Sequence, residues 1–336
     1  GERWARHWLD LVRYADTNSF ERDGIKPNAW RFRDYVISSF NQDKPYSQFI
    51  KEQLAGDELD QVTAETIIAT GYYRLGLWDD EPADPLLSYY NELDDIVSTT
   101  SQVFLGLTLN CARCHEHKID PIPHQDYYRF MAFFHGLNSY GIRSDQLSFN
   151  QTDITGPEIS ALYAKYDAQK NDLQKKMHDV EETAVKKMEG ADQRRSETPE
   201  RGKLLKEKLE QYLEPGQFKA YQTMQTELQQ LEQQRKQYPP RKMALSVSRS
   251  LKEPRETFVL LRGNPHVPGE KVQPGFPELF GKTETQIPAV PQDRQTSGRR
   301  RVLAEWIASD DNMLTSRVIV NRIWQHHFGR GIVQSP

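Results

Sequence analysis

The chain has 336 residues and two cysteines, Cys111 and Cys114, and both stand in one run, NCARCHEHKIDP, at residues 110–121. Two thiols separated by two residues and followed at once by His115 have the spacing that offers both sulfurs to the vinyl groups along one haem edge. The imidazole is then placed to take the iron from one axial side. A helix arriving at Cys111 would let a single turn carry both sulfurs while His115 projects beneath the porphyrin plane. The expected chemistry is therefore haem c, attached through Cys111 and Cys114 and ligated by His115. The opposite axial ligand is left open. His7, His124 and His327 are candidates, as are His135, His326 and Met131, whereas His117 is too close to His115 to reach the other face. His7 and His327 stand on aromatic-rich helices, whose dry walls would tune a haem potential.

Other chemistries compete for the same residues. Cys111, Cys114, His115 and His117 could close a tetrahedral zinc site, although four ligands within seven residues are crowded for a metal usually gripped by two separated loops. A thioredoxin-like redox pair would want a βαβ context, and the flanks here read as helix and Pro-rich loop. Upstream, Asp79, Asp80, Glu81 and Asp84, followed by Glu92, Asp94 and Asp95, could hold calcium or do acid/base work. The plainer reading is that these acids complement the positive end of a helix. Arg294 and Arg299 to Arg301 likewise read as a solvated or acid-paired helix start rather than a ligand site.

The elements that must position these residues are mainly helical. Apolar residues recur at three and four through WARHWLDLVRYA, AWRFRDYVISSFN and YSQFIKEQLAGD, with turns at Asp23-Gly24, Lys26-Pro27, Lys44-Pro45 and Gly56-Asp57. The periodic run YNELDDIVSTTSQVFLGLTL delivers the chain to Cys111. Beyond the cysteines Pro121 and Pro123 impose an irregular stretch, and Asp126 is expected to cap a short aromatic helix ending at Gly136. From 157 to 238, Ile159, Leu162, Tyr166, Leu173, Met177, Val180, Ala184 and Met188 lay an apolar stripe among charged residues, GADQRRSETPERG reverses the chain, and the pattern returns. This predicts an antiparallel coiled-coil hairpin whose outgoing arm of roughly 34 residues reaches ~50 Å. Residues 240–295 are Pro-rich and extended with short strands at ALSVS and TFVLLRG, and helices resume at 299–309 and 313–328. The expected class is mainly α: a helical haem-c-type domain over 1–150, the hairpin insertion over 151–240, and a Pro-rich segment with C-terminal helices over 241–336.

Composition sets the outer bounds. Hydrophobic residues are 37% and charged residues 27%, so a long solvated segment dilutes the core. A formal net charge of -4 gives no electrostatic support for a nucleic-acid partner. No stretch approaches the ~20 apolar residues of a membrane span.

At this point the residues carry a family resemblance. WARHWLDLVRYADTNSFERD, AWRFRDYVISSFNQDKPYSQFIKEQLAGD and DDIVSTTSQVFLGLTLNCARCHEHKIDPIPHQDYYRFMAFF resemble the planctomycete cytochrome-associated domain often called PSCyt-two. GRRRVLAEWIASDDNMLTSRVIVNRIWQHHFGRGIV is similar to the start of its usual neighbour, the PSD-one domain. The resemblance implies a large exported protein, periplasmic or at the cell surface, continuing at both ends and often preceded by a further cytochrome c domain. Neither domain has an assigned reaction, and carried over by position the haem-attachment residues are again Cys111, Cys114 and His115. The functional expectation is a one-electron-transfer module working with a redox partner or fused cytochrome domain. Its alternatives are a non-redox hydrolytic or polysaccharide-processing enzyme with a structural Cys/His cluster, or a scaffold whose 157–238 arm binds a protein partner.

Overall fold

The computed structural model describes residues 1–18, 20–141, 150–281 and 285–334. Two compact units emerge: residues 1–154 with 243–336, and residues 155–242. The C-terminal stretch, expected as a domain of its own, is thus built into the same body as the N-terminal helices.

In the larger unit, helices α1 (Glu2–Leu11), α2 (Trp30–Asn41) and α3 (Tyr46–Ala55) turn Trp8, Phe32, Val36, Ile50 and Leu54 inward. Helix α4 (Ala64–Ala69) opens on a capping box between Thr63 and Thr66. Helix α5 (Pro85–Thr100) starts where Asp84 accepts the backbone N–H groups of Leu86 and Leu87 and Pro85 presets the first turn. Its ladder widens into a π turn over Ser101–Leu105 and stops at Gly106, whose φ of 64° is left-handed. Helix α6 (His124–Met131) sends Tyr127, Tyr128 and Phe130 into the core. It starts at His124 rather than at an Asp126 cap. Asp126 is buried within the first turn, where its carboxylate accepts the backbone N–H of Glu278 at 2.6 Å and desolvation raises its pKa.

Strand β1 (Gln151–Asp153) pairs antiparallel with β2 (Met243–Leu245), Gln151 opposite Leu245. This ribbon is pinned to the body: Gln151 Nε2 donates to the Pro27 carbonyl at 2.8 Å and Arg31 Nε to that of Met243 at 2.8 Å. Strands β3 (Thr257–Leu260) and β4 (Pro268–Val272) form a second hairpin.

The smaller unit contains α7 (Pro157–Val185), α8 (Gly190–Ser196), α9 (Arg201–Lys208) and α10 (Pro215–Arg235). Tyr163 donates to the Pro239 carbonyl and Tyr221 to Glu181, so α7 and α10 run in opposite directions. Their length does not amount to a continuously buried seam. Of the expected stripe, Tyr166, Ala184 and Met188 are buried while Leu162 is 41% exposed. The apolar contacts gather instead where Ala184, Val185 and Met188 meet Leu204, Leu205, Leu209 and Leu213. The polar break GADQRRSETPERG is itself partly helical, as α8.

What joins the two ends of the larger unit is charge. Helix α11 (Arg299–Ile307) begins with the basic run and lies on α3. Arg300, 2% exposed, makes a two-pronged bond to Asp57 at 2.7 and 2.6 Å and reaches Glu58 at 3.0 Å. Glu58 also accepts the Arg301 backbone N–H and the Thr296 hydroxyl. Arg301 pairs with Asp60, and Arg294 donates to the carbonyls of Glu58, Leu59 and Asp60. Burial disfavours the guanidinium of Arg300, but the Asp57 and Glu58 carboxylates outweigh it and raise its pKa. Of the basic run, Arg300 and Arg301 are therefore acid-paired, while Arg294 and Arg299 donate to backbone carbonyls. Helix α12 (Met313–Phe328), capped by Asn312, completes the unit.

Removing one member of such a network leaves its partners buried and uncompensated, at a cost of about 3–5 kcal/mol. Arg300→Met is expected to lower stability by that amount in urea titration followed by tryptophan fluorescence. The six tryptophans all lie in the larger unit, so the signal reports it alone. A loss below about 1 kcal/mol would show that the network does not hold the C-terminal segment in place.

Candidate functional site

The cysteine run does not ride on an arriving α-helix. Gly106 breaks the chain away from α5, and a short 3-10 turn over Leu109–Ala112 carries Cys111 into a loop that ends at Pro123. The two residues between the cysteines are the anchors. Ala112 is fully buried, and Arg113 bonds Asn91 at 2.9 Å and Asp94 at 3.1 Å. The Arg113 carbonyl accepts from the Tyr128 hydroxyl at 2.7 Å and lies 3.0 Å from His124 Nε2. Asn91 and Asp94, three apart on α5, present one face to the loop, and Tyr127 binds the same Asp94. With the middle of the run held, both cysteines are exposed and neither is in a disulfide.

His115 is exposed beside them, its Nδ1 2.6 Å from the Glu116 carbonyl. A carbonyl only accepts, so Nδ1 carries the hydrogen and the Nε2 lone pair is left for a ligand, the arrangement usual for metal-bound imidazoles. His117 is different. Its side chain is 6% exposed; Nδ1 accepts the backbone N–H groups of Ile119 and Asp120, and Nε2 stands 3.0 Å from the Thr108 hydroxyl. Both ring nitrogens are thus spent on shaping the loop, and a zinc tetrad of Cys111, Cys114, His115 and His117 would have to break these bonds. Among the described residues no group of three or more His, Cys, Asp or Glu side chains is arranged to hold a metal ion.

Glu116 accepts the His124 backbone N–H at 2.8 Å and so ties the loop to the start of α6. From the other side the turn after β3 comes against the thiols. Gly263 has φ +71°, and a Cβ there would lie 2.8 Å from Cys114 Sγ. Leu261 and Val267 are exposed in this turn. Of these supporting residues, Arg113 lay within the recognised run, and Asn91, Tyr128 and Gly263 carried no signal of their own.

The candidates for the opposite axial position are scattered. His124 is beside the run. His7 and His327 join His326 around a cavity that no residue between 106 and 124 lines. Met131 is buried in α6. His135, 1% exposed beside Tyr89 and Tyr90, makes no well-formed hydrogen bond through either ring nitrogen among the described residues, although the backbone at Arg255 and Glu256 lies close enough to favour its protonated form.

The acidic set is likewise spoken for. Asp80 and Glu81 pair with Arg22, Asp79 accepts the Glu81 backbone N–H, and Asp84 caps α5 and meets His266 Nε2 at 2.7 Å. Glu92, half-buried, accepts the Tyr140 N–H, and desolvation raises its pKa; Asp95 binds Arg13. The calcium expectation thus meets carboxylates used as caps and ion-pair partners.

Comparison with known families matches residues 1–139 to PSCyt2, a protein of unknown function (DUF1549), and residues 299–336 to PSD1, a protein of unknown function (DUF1553). No curated protein and no solved structure matches the chain.

His135 gives the body a measurable pH dependence. Burial, with Arg299 and Arg255 adding to it, pushes its pKa from 6.5 down to about 4. Between those values the unfolded chain binds the proton and the folded chain does not, so stability is full above 6.5 and falls as pH drops towards 4, by about 3 kcal/mol. Urea midpoints measured across that window should show this acid limb in the parent and a flatter profile in His135→Phe. Identical profiles would mean that this imidazole does not titrate as described.

Proposed function

We propose that this protein is an exported, haem-c-bearing module for one-electron exchange, a reading supported by the match of residues 1–139 to PSCyt2 and of residues 299–336 to PSD1, in that order. The observation that carries the reading is the placing of Cys111 and Cys114 on the solvent side of a loop whose middle residues are locked to α5 and α6. Beside them stands an imidazole whose Nε2 is unspent. These residues fit the group: two thiols for the thioether bonds and one neutral nitrogen for the iron.

When bound, haem supplies reversible one-electron chemistry at a potential set by its ligands and burial. The chain's own contribution is positional. Arg113, Tyr128 and Asp94 fix the spacing of the thiols, the Glu116 carbonyl orients His115, and Gly263 leaves room beside Cys114. An attachment edge open to solvent suits exchange with a redox partner protein or a fused cytochrome domain. Thioether formation with haem is chemistry of the compartment outside the cytoplasm, so the proposed location is periplasmic or at the cell surface. The described carboxylates of the acidic loop are engaged as above, and for that reason the hydrolytic reading is set second.

The test is export into a periplasm equipped with cytochrome-maturation enzymes, followed by acid-acetone extraction and peptide mass spectrometry. A Soret band that stays with the protein, a haem adduct on the peptide containing Cys111 and Cys114, and loss of both in Cys111→Ala/Cys114→Ala are expected. His115→Ala should retain the adduct with an altered spectrum. Free thiols on that peptide, or zinc without iron, would refute the proposal.

A further inference from the structure

Apart from the cysteine loop, the larger unit holds a cavity of about 710 Å³ between α1, the start of α3 and the last turns of α12. That volume lies within the range of small-molecule sites, which are typically ~300–1,000 Å³, apolar, and furnished with a few converging polar groups. The walls are aromatic to an unusual degree: Trp4, Trp8, Phe40, Tyr46 and Phe49 face it, with few aliphatic side chains among them. Ring faces reward a flat partner through offset and edge contacts that an alkyl chain does not match.

The polar groups include three imidazoles and the Arg322 guanidinium, together with Ser39, Asp43, Lys44 and the Tyr46 hydroxyl, which is buried with no partner among the described residues. His7 stacks on His326 with centroids 3.7 Å apart and planes 19° from parallel, while Trp4 stands 5.4 Å from His7 and 5.1 Å from His327. None of the three imidazoles hydrogen-bonds to another described residue, so their nitrogens are available to a ligand edge. Desolvation, with His7 and Arg322 adding to it, lowers the pKa of His326. Arg322 donates only to the carbonyls of Gln102 and Val103, and no described carboxylate pairs with it. Its charge is therefore satisfied geometrically but not neutralised. The other cation, Lys44, is committed to Glu52 and Glu65. Of the nearby acids, Asp43 is an exposed lining residue and Asp10 lies close enough to act on His326.

We propose that this cavity is a binding site for a planar aromatic acid of about two fused rings, stacked against Trp4 and the His7–His326 pair with its anionic oxygen towards Arg322. The site is independent of haem attachment. The probe is naphthoate, titrated calorimetrically into the full chain, with decanoate as the non-aromatic acid of similar size. Naphthoate is expected to bind with a Kd on the order of 10 µM and decanoate at least about tenfold more weakly. Trp4→Ala and His326→Ala should each weaken naphthoate by roughly tenfold. His326 is exposed, so its variant keeps the fold even if the Trp4 variant does not. Absence of naphthoate binding, equal affinity for decanoate, or unchanged affinity in His326→Ala would overturn the proposal.

Discussion

A guanidinium taken out of water dictates where the opposite charges must be, and Arg300 imposes that rule on the whole larger unit. Its counter-charges, Asp57 and Glu58, come from the loop after α3, 243 positions away in sequence for Asp57. Neither side can be buried without the other, because an unpaired charge in the interior costs more than most single contacts return. The surrounding bonds from Arg294, Thr296 and Arg301 leave little freedom in how the segment closes. Once it is seated, Leu303, Ala304 and Ile307 of α11 join the same apolar core as Trp8, Ile50 and Tyr72. A region matched to one family and a region matched to another are thereby one folded body.

The cysteine loop depends on that body in a more local way. It has little regular structure of its own, so its shape is borrowed from Asn91 and Asp94 on α5 and Tyr128 on α6. His117 does from within what those residues do from outside. It absorbs two backbone N–H groups that a Pro-flanked loop would otherwise leave to water. Two neighbouring histidines of the same type thus have opposite duties, one holding the loop and one left with a free nitrogen.

How much of this the sequence discloses follows from how far each signal reaches. The helical stretches around Trp8, Val36 and Ile50 are legible because periodicity is local, and so is the cysteine run, since its residues are neighbours along the chain. The inserted helical segment is visible from its polar composition, but the concentration of its contacts around Met188 and Leu204 is not, because spacing alone does not say which parts of a stripe meet. The pairing of Arg300 with Asp57, the gathering of His7 with His326, and the approach of Gly263 to Cys114 join positions that share no local pattern. His117 is of a different kind: residue type and spacing offer it only as a ligand in the crowded zinc alternative, and its hydrogen bonds show both ring nitrogens engaged in the loop.

The β1–β2 ribbon has a consequence for how this protein can change over generations. The chain leaves the body after Asp153 and re-enters it at Met243, and those two residues face each other across one pair of strands, about 5 Å apart. Whatever is spliced between them need only bring its two ends to that spacing. Closing a longer excursion costs merely ~0.6 kcal/mol per doubling of length. The ribbon therefore works as a socket: its paired strands set the spacing of the two ends, so that a change in the length of the excursion adds little to the entropy of closing it.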